Sequence, residues 1–348
     1  MIERALFDRY GIYPEEILSI GYDQIIFSEG KGYLLRPVKT NTKNAIDIKA
    51  NMAEWLMYQG DLDIATFLNR DEKKVSIKVE GMDYVVFQLP ELQLNGRQEY
   101  SLPIGQRLAQ FHHNGFTFSK YNKQVVQHII PWKNRWEKRL DQLEKWYLTL
   151  IREKEKSEMD KEFCMTYPYF MGLTENAIQM MMDVSLDDEG FQQNLYNTIC
   201  HSRFQDHTWL TIEEGHPSRI KVPTDFTFDH ITRDIAEYIR TIWIECGNSE
   251  KGQKQVDDFL NAYESVYPLT LTDQKLLFIR LMFPIHYFKK VEFYYSSMVE
   301  NEKLKFKNDC FYIFQHTTEY EQFFVYLANR YPSLKNNLSL PQWIKETF

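Results

Sequence analysis

The chain has 348 residues, 43% of them hydrophobic and 26% charged, a balance that supports folded domains and argues against disorder. Glycine accounts for only 14 residues, and a glycine-poor chain offers few backbone-lined cradles for phosphate. Neither GxxxxGK[ST] nor GxGxxG occurs, which argues against a standard P-loop or dinucleotide-binding fold, and a net charge of −8 argues against general binding of nucleic acid or anionic membranes.

The first ninety residues read as mixed α and β. Residues 24–27 and 32–36 are short apolar runs around Ser28-Glu29-Gly30-Lys31, the pattern of a hairpin. Residues 44–58 have helical spacing, with Ile48, Met52, Trp55 and Leu56 on one face. Two further strands are expected at 75–79 and 84–89, joined by a turn at 80–83 and closed by Pro90. After Pro90 the pattern becomes almost wholly helical. A helix is expected at 104–112, stopped by Asn114-Gly115, and a strongly amphipathic one at 132–150 carrying Trp132, Trp136 and Tyr147. The mixed-charge run 152–156 reads as a solvated connector. Further helices are expected near 191–199, 231–245, 253–265, 272–299 and 318–330. Periodicity fails between 200 and 230, where histidine, aspartate, threonine and proline accumulate, and a long irregular stretch in a helical region is a functional candidate.

Cys164, Cys200, Cys246 and Cys310 are widely spaced and form no CxxC pair, so reduced, mostly buried thiols are expected. The N-terminus lacks an apolar signal core, and no uncharged run reaches the length of a membrane span. These features predict a soluble chain with no membrane insertion and no nucleic-acid partner.

Several segments carry a family resemblance in their order. Residues 105–112 (GQRLAQFH) resemble the first large-lobe helix of aminoglycoside phosphotransferase-like proteins, which often ends in an LAxLH-like sequence. Residues 199–210 (ICHSRFQDHTWL) resemble their catalytic loop, in which His-Gly-Asp is followed after four residues by Asn. Residues 229–236 (DHITRDIA) resemble the segment that ends in Asp-Leu-Ala. Together they resemble the spore-coat branch of the aminoglycoside phosphotransferase and protein kinase-like superfamily of endospore-forming bacilli. The resemblance implies an α+β, bilobal, protein kinase-like fold, with a small β-rich N-lobe at 1–90 and a mainly helical C-lobe at 91–348. It places a degenerate catalytic loop at about 199–236.

In active members the aspartate of His-Gly-Asp accepts or orients the proton of the attacking hydroxyl. The matching position is Arg203, whose guanidinium is always charged and has no acceptor, and the neighbouring glycine matches Ser202. The magnesium-binding asparagine matches Thr208, a weaker ligand for a cation that favours several well-placed oxygens. By the same resemblance the nucleotide-gripping lysine matches Arg36, Glu54 is its expected partner, and Asp225 is the candidate metal aspartate, although nine residues to Asp234 is shorter than the family spacing.

Two readings of Arg203 stand together: a retired site in which it pairs with Asp225 or Asp206, or a different alignment of the loop. Asp206 is a candidate displaced base. His201, His207, His216 and His230, with Asp206 and Asp229, offer a metal cluster of no familiar spacing; His201 is otherwise a residue that holds the loop. Asp234 fits a helix N-terminal position. The Trp132-Trp136-Tyr147 stripe and the aromatics at 288–295 and 323–326 fit either core or docking surface. The leading expectation is a pseudokinase acting as a structural or assembly protein of the spore coat. It would be made in the mother-cell cytoplasm, have other coat proteins as partners, and need no cofactor. The alternatives are an atypical ATP- and Mg-dependent small-molecule phosphotransferase with a rearranged site, and a vestigial small-molecule binder. The sequence names no oligomeric state.

Overall fold

The computed structural model describes residues 2–38, 43–68, 76–90, 102–122, 132–187, 197–211 and 219–345. The chain divides into two compact units: one of Met1–Gln127, Asn197–His230 and Ala262–Tyr267, the other of His128–Tyr196, Ile231–Asn261 and Pro268–Phe348.

In the first unit, helix α1 (Ile2–Tyr10) precedes strands β1 (Glu16–Ile20), β2 (Asp23–Ser28) and β3 (Lys31–Val38). Helix α2 (Lys43–Tyr58) follows, then β4 (Thr66–Phe67), β5 (Ser76–Val79) and β6 (Met82–Gln88). The strands pair antiparallel in the order β1-β2-β3-β6-β4, with β5 also on β6. The β2–β3 and β5–β6 hairpins close on Glu29-Gly30 and Glu80-Gly81, all four with positive φ. That backbone matches the twist of two-residue hairpins and fixes the register, which brings Leu34 opposite Ile25 and Leu35 opposite Val86. The central strands are buried on both faces. Ile25, Leu34, Val85 and Phe87 pack with Ile46 of α2, while Ile26, Leu35 and Val86 pack with Leu6 of α1. Their near-continuous apolar runs follow from this double burial. Helix α1 and strand β1 have no counterpart in the sequence-based expectations.

The unit also holds α3 (Ile104–Gly115), α4 (Phe118–Tyr121) and the antiparallel pair β7 (Asn197–His201) and β8 (Phe226–His230). The expected helix at 191–199 is corrected here. Residues 197–199 begin a strand whose Ile199 pairs with Phe228, and 191–196 lie outside the described residues. Cross-strand pairing of a β-branched apolar run outweighs helical spacing. Helix α3 is docked on β7 through its last residue. A Cβ at Gly115 would meet the Thr198 hydroxyl and lie 2.7 Å from the Ile199 nitrogen. The Thr198 hydroxyl donates to the His112 carbonyl at 2.6 Å, completing the seam.

The second unit is helical: α5 (Trp132–Leu150), α6 (Glu158–Asp187), α7 (Thr232–Cys246), α8 (Glu250–Glu264), α9 (Leu271–Met282), α10 (Ile285–Ser296), α11 (Glu300–Gln315), α12 (Thr317–Arg330), α13 (Leu334–Asn337) and α14 (Gln342–Lys345). The last residues of α8 group with the first unit. The single helix expected at 272–299 is two helices, because Pro284 has no N–H to continue the ladder. A capping box between Thr270 and Asp273 starts α9. Helix α6, with Phe163, Tyr167, Phe170, Thr174 and Ala177 buried along one stripe, was not expected from the sequence, and neither was α11.

The aromatic question resolves mostly toward core. Trp136 stacks on Phe283 with centroids 4.6 Å apart, and Phe170 on Tyr287 at 3.7 Å. Phe288, Phe323 and Phe324 are buried, whereas Phe293 is exposed. All four cysteines are free; Cys200 and Cys310 are buried and the other two half-buried. No described helix is long and apolar enough to cross a membrane.

Gly115→Ala is expected to destabilise the protein by about 1–3 kcal/mol, since the added methyl overpacks a seam that includes backbone. Chemical denaturation with circular dichroism reads the shift, and an unchanged midpoint would show that the α3–β7 contact tolerates a side chain.

Candidate functional site

The β2–β3 register sets the first half of the site. Gln24 faces Leu35, so the next positions outward, Asp23 and Arg36, stand opposite one another. The Arg36 guanidinium grips Asp23 side-on, with Nε 3.0 Å from Oδ1 and an Nη 2.6 Å from Oδ2. Its other Nη donates to Asp225 Oδ2 at 2.6 Å and to the Thr224 hydroxyl at 3.3 Å. One cation therefore holds two carboxylates, in the planar fork geometry that arginine supplies and lysine does not.

Lys49 of α2 donates its ammonium to the Thr224 carbonyl. The cluster thus contains two cations and two carboxylates. Burial works against the Arg36 charge, but the hydrogen bond it donates to Asp23 and the charges of Asp225 and Asp23 outweigh it, holding its pKa above the ordinary arginine value. Burial lowers the pKa of Lys49, opposed by Asp225 and reinforced by the like charge of Arg36.

Glu54 is not part of this cluster. Helix α2 buries Ile46, Ala50 and Ala53, which puts Lys49 on the inward side and leaves Glu54 exposed. Arg36 is paired by Asp23 and Asp225 instead. The three missed members were partly legible. Asp23 follows from the hairpin register once Glu29-Gly30 is recognised as the turn, and Lys49 from the 46-50-53 stripe. Thr224 carries no local signal.

The loop after β7 forms the second half. His201 is 1% exposed, and its Nε2 accepts the Trp209 indole N–H at 3.0 Å. Its ring stacks on Phe111 at 4.6 Å, with Phe204 and Phe226 also against it. An aromatic cage thus encloses the His201 ring. The Ser202 N–H donates to the Asp225 carbonyl at 2.6 Å, so the loop is tied by its backbone to the same aspartate that Arg36 holds.

Thr208 spends its hydroxyl inside the loop. It donates to the Arg203 carbonyl at 3.0 Å and accepts from the Gln205 N–H at 2.8 Å. Arg203 and Asp206 are exposed. The carboxylate of Asp225 is held by Arg36, so of the two partners offered for Arg203, Asp225 or Asp206, the first is engaged elsewhere. Among the described residues, His201, His207, His230, Asp206 and Asp229 do not converge on one point, and His216 lies outside them. Asp229 accepts the His230 N–H at 2.8 Å, a local backbone bond. Asp234 is buried in the first turn of α7, where a carboxylate complements the helix dipole.

The donor set does not fit a catalytic magnesium site. Asp225 faces a guanidinium, Thr208 has its hydroxyl committed to backbone partners, and position 203 offers no acceptor.

Comparison with known proteins gives this arrangement its relatives. Residues 3–327 match the family described as "Spore coat putative kinase YutH". The endospore coat-associated protein YutH of Bacillus subtilis (strain 168) is 32% identical over 324 residues, covering 93% of this chain and 91% of that protein. Among solved structures, an aminoglycoside phosphotransferase from Alicyclobacillus acidocaldarius superposes with a TM-score of 0.68 at 14% identity, over 95% of this chain and 96% of that one. A spectinomycin phosphotransferase in complex with ADP and spectinomycin gives 0.59 at 14% identity, over 90% and 93%. At such identities the structural likeness speaks to fold alone, and it is the aminoglycoside phosphotransferase fold. The chain belongs to the YutH family of spore coat kinase-like proteins.

Proposed function

We propose that this protein is a pseudokinase that serves as a structural or assembly component of the spore coat. The observation that carries the loss of catalysis is the Arg36–Asp225 ion pair at 2.6 Å. The carboxylate expected to hold a metal faces a fixed cation, and the position expected to supply a base is Arg203. A phosphotransferase needs a metal to neutralise developing charge and a group to orient the attacking hydroxyl. Here packing and ion pairing take both places. The coat role rests on the relative's name and on the family; in this reading the chain is made in the mother-cell cytoplasm and joins other coat proteins.

Incubation with ATP, magnesium or manganese, and aminoglycoside, choline or sugar acceptors is expected to give no phosphotransfer above background. Turnover well above background that disappears in Asp225→Asn or Asp206→Asn would overturn the proposal in favour of a rearranged phosphotransferase. Thermal unfolding supplies a separate reading, because a ligand that binds only the folded state raises the midpoint. ATP with magnesium is expected to leave the midpoint where ATP alone leaves it. A magnesium-dependent rise abolished by Asp225→Asn would restore the metal site.

Arg36→Met leaves two part-buried carboxylates without their cation and is expected to cost on the order of 2–3 kcal/mol in urea unfolding, less than a fully buried pair because water reaches Asp225. Arg36→Lys is expected to recover part of that loss, since it keeps the charge but not the fork. Equal stability of all three proteins would show that the cluster is not structural.

A further inference from the structure

His286 stands in the first turn of α10, among the helices of the second unit. It is 8% exposed, and among the described residues its Nδ1 has no hydrogen-bond partner. Aromatic packing holds the ring instead. The Tyr320 ring lies edge-on to it at 4.8 Å and the Trp243 ring at 6.2 Å. A cavity of about 10 Å³ adjoins it, lined also by Phe170, Ile244 and Ile313. That space takes one water at most, far too little to solvate a charged imidazole.

The surrounding charges also oppose a proton on this ring. From α7, Arg240 pairs with Glu237 and donates to the Arg280 carbonyl at 2.8 Å. From α10 itself, Lys289 lies 3.7 Å from the same Glu237. Two cations thus share one carboxylate, and a protonated His286 would be a third positive group. From α12, the Tyr320 hydroxyl donates to the Leu281 carbonyl at 2.5 Å, and burial pushes its pKa up, so it supplies no negative charge. From α11, Tyr312 and His316 line the same cavity, with the Tyr312 hydroxyl donating to the Ile244 carbonyl and His316 Nδ1 lying 2.7 Å from the Tyr312 carbonyl. Helix α6 brings the uncharged Phe170. The N-terminal end of α10 adds its own positive dipole. Burial first, then Arg240 and Lys289, hold the His286 pKa well below the ordinary histidine value.

We propose that His286 is an acid-sensitive latch: α7, α10 and α12 close around its ring only while the ring is neutral, and protonation drives the junction open. Opening brings the imidazole to water, where it takes up one proton, so the open form is favoured by acid. The neutral ring's contribution to the closed form is complete above the ordinary histidine pKa of about 6.5 and is lost as pH falls below it. The Arg36–Asp225 cluster belongs to the other unit, so the latch does not depend on the fate of phosphotransfer.

Urea unfolding of the full chain, followed by circular dichroism at two pH values, tests the latch beside an NMR titration of the histidine rings in the folded protein. Between about pH 7.5 and 5.5 the unfolding equilibrium constant of the parent is expected to rise about 10-fold more than that of His286→Phe, the effect of one histidine that titrates only in the unfolded chain. His286→Phe keeps an aromatic ring against Trp243 and Tyr320. His316→Gln removes the other titrating ring at the cavity and is expected to keep the parental pH dependence. In the folded parent the His286 ring signal is expected to stay that of a neutral imidazole down to about pH 5.5, and this reading decides the matter if His286→Phe fails to fold. The proposal is overturned by a His286 ring that titrates near the ordinary value in the folded protein, by equal pH dependence of the parent and His286→Phe, or by loss of that dependence in His316→Gln.

Discussion

The guanidinium of Arg36 is the point at which the first unit's sheet meets the segment leading into β8. It faces one carboxylate across the hairpin and another nearly two hundred residues away, and both contacts are made in a part-buried setting. Removing charges from water is costly, and the cost is tolerable here because the cations and anions balance within the cluster. Lys49 completes that balance from α2. Three separate pieces of chain are therefore held by one electrostatic unit, and Asp225 passes the constraint onward through its backbone to Ser202.

Beyond Ser202 the constraint changes in kind. The loop is organised by apolar packing around a neutral acceptor, with His201 enclosed by Phe111, Phe204, Trp209 and Phe226. Thr208 then closes the loop on its own backbone. The fold of the aminoglycoside phosphotransferases is kept, and Asp225 and Thr208 are engaged by structural partners. In the proposed reading the same scaffold is retained for what its surfaces hold rather than for what its loop transfers.

Local rules made much of this legible from the residues. The Glu29-Gly30 and Glu80-Gly81 turns fix their hairpins through backbone conformation, and the 132–150 helix announces itself through a dense amphipathic stripe. The resemblance implies a degenerate loop because Arg203 and Thr208 are chemically unlike the groups they would stand for. The pairing inside the cluster was not legible. Which carboxylate meets Arg36 depends on a tertiary approach across a separation of 189 residues, and no local pattern encodes it. Glu54 was favoured by the family pattern but faces outward because α2 is rotated to bury Ile46, Ala50 and Ala53. Strand β7 was misread for a related reason: its conformation is decided by β8, almost thirty residues further on.

The arrangement around Arg36 also makes the site hard to reopen by single substitutions. A chain in which Asp225 is released to bind a cation must first part that carboxylate from a guanidinium that keeps its charge at any ordinary pH. Replacing Arg36 alone strands Asp23 and Asp225 together, and replacing Asp225 alone removes the ligand that a metal would need. A base at position 203 would add nothing while Asp225 stays paired with Arg36. Each first step is thus disfavoured on its own, and the ion pair acts as a ratchet that keeps the cluster in its structural state.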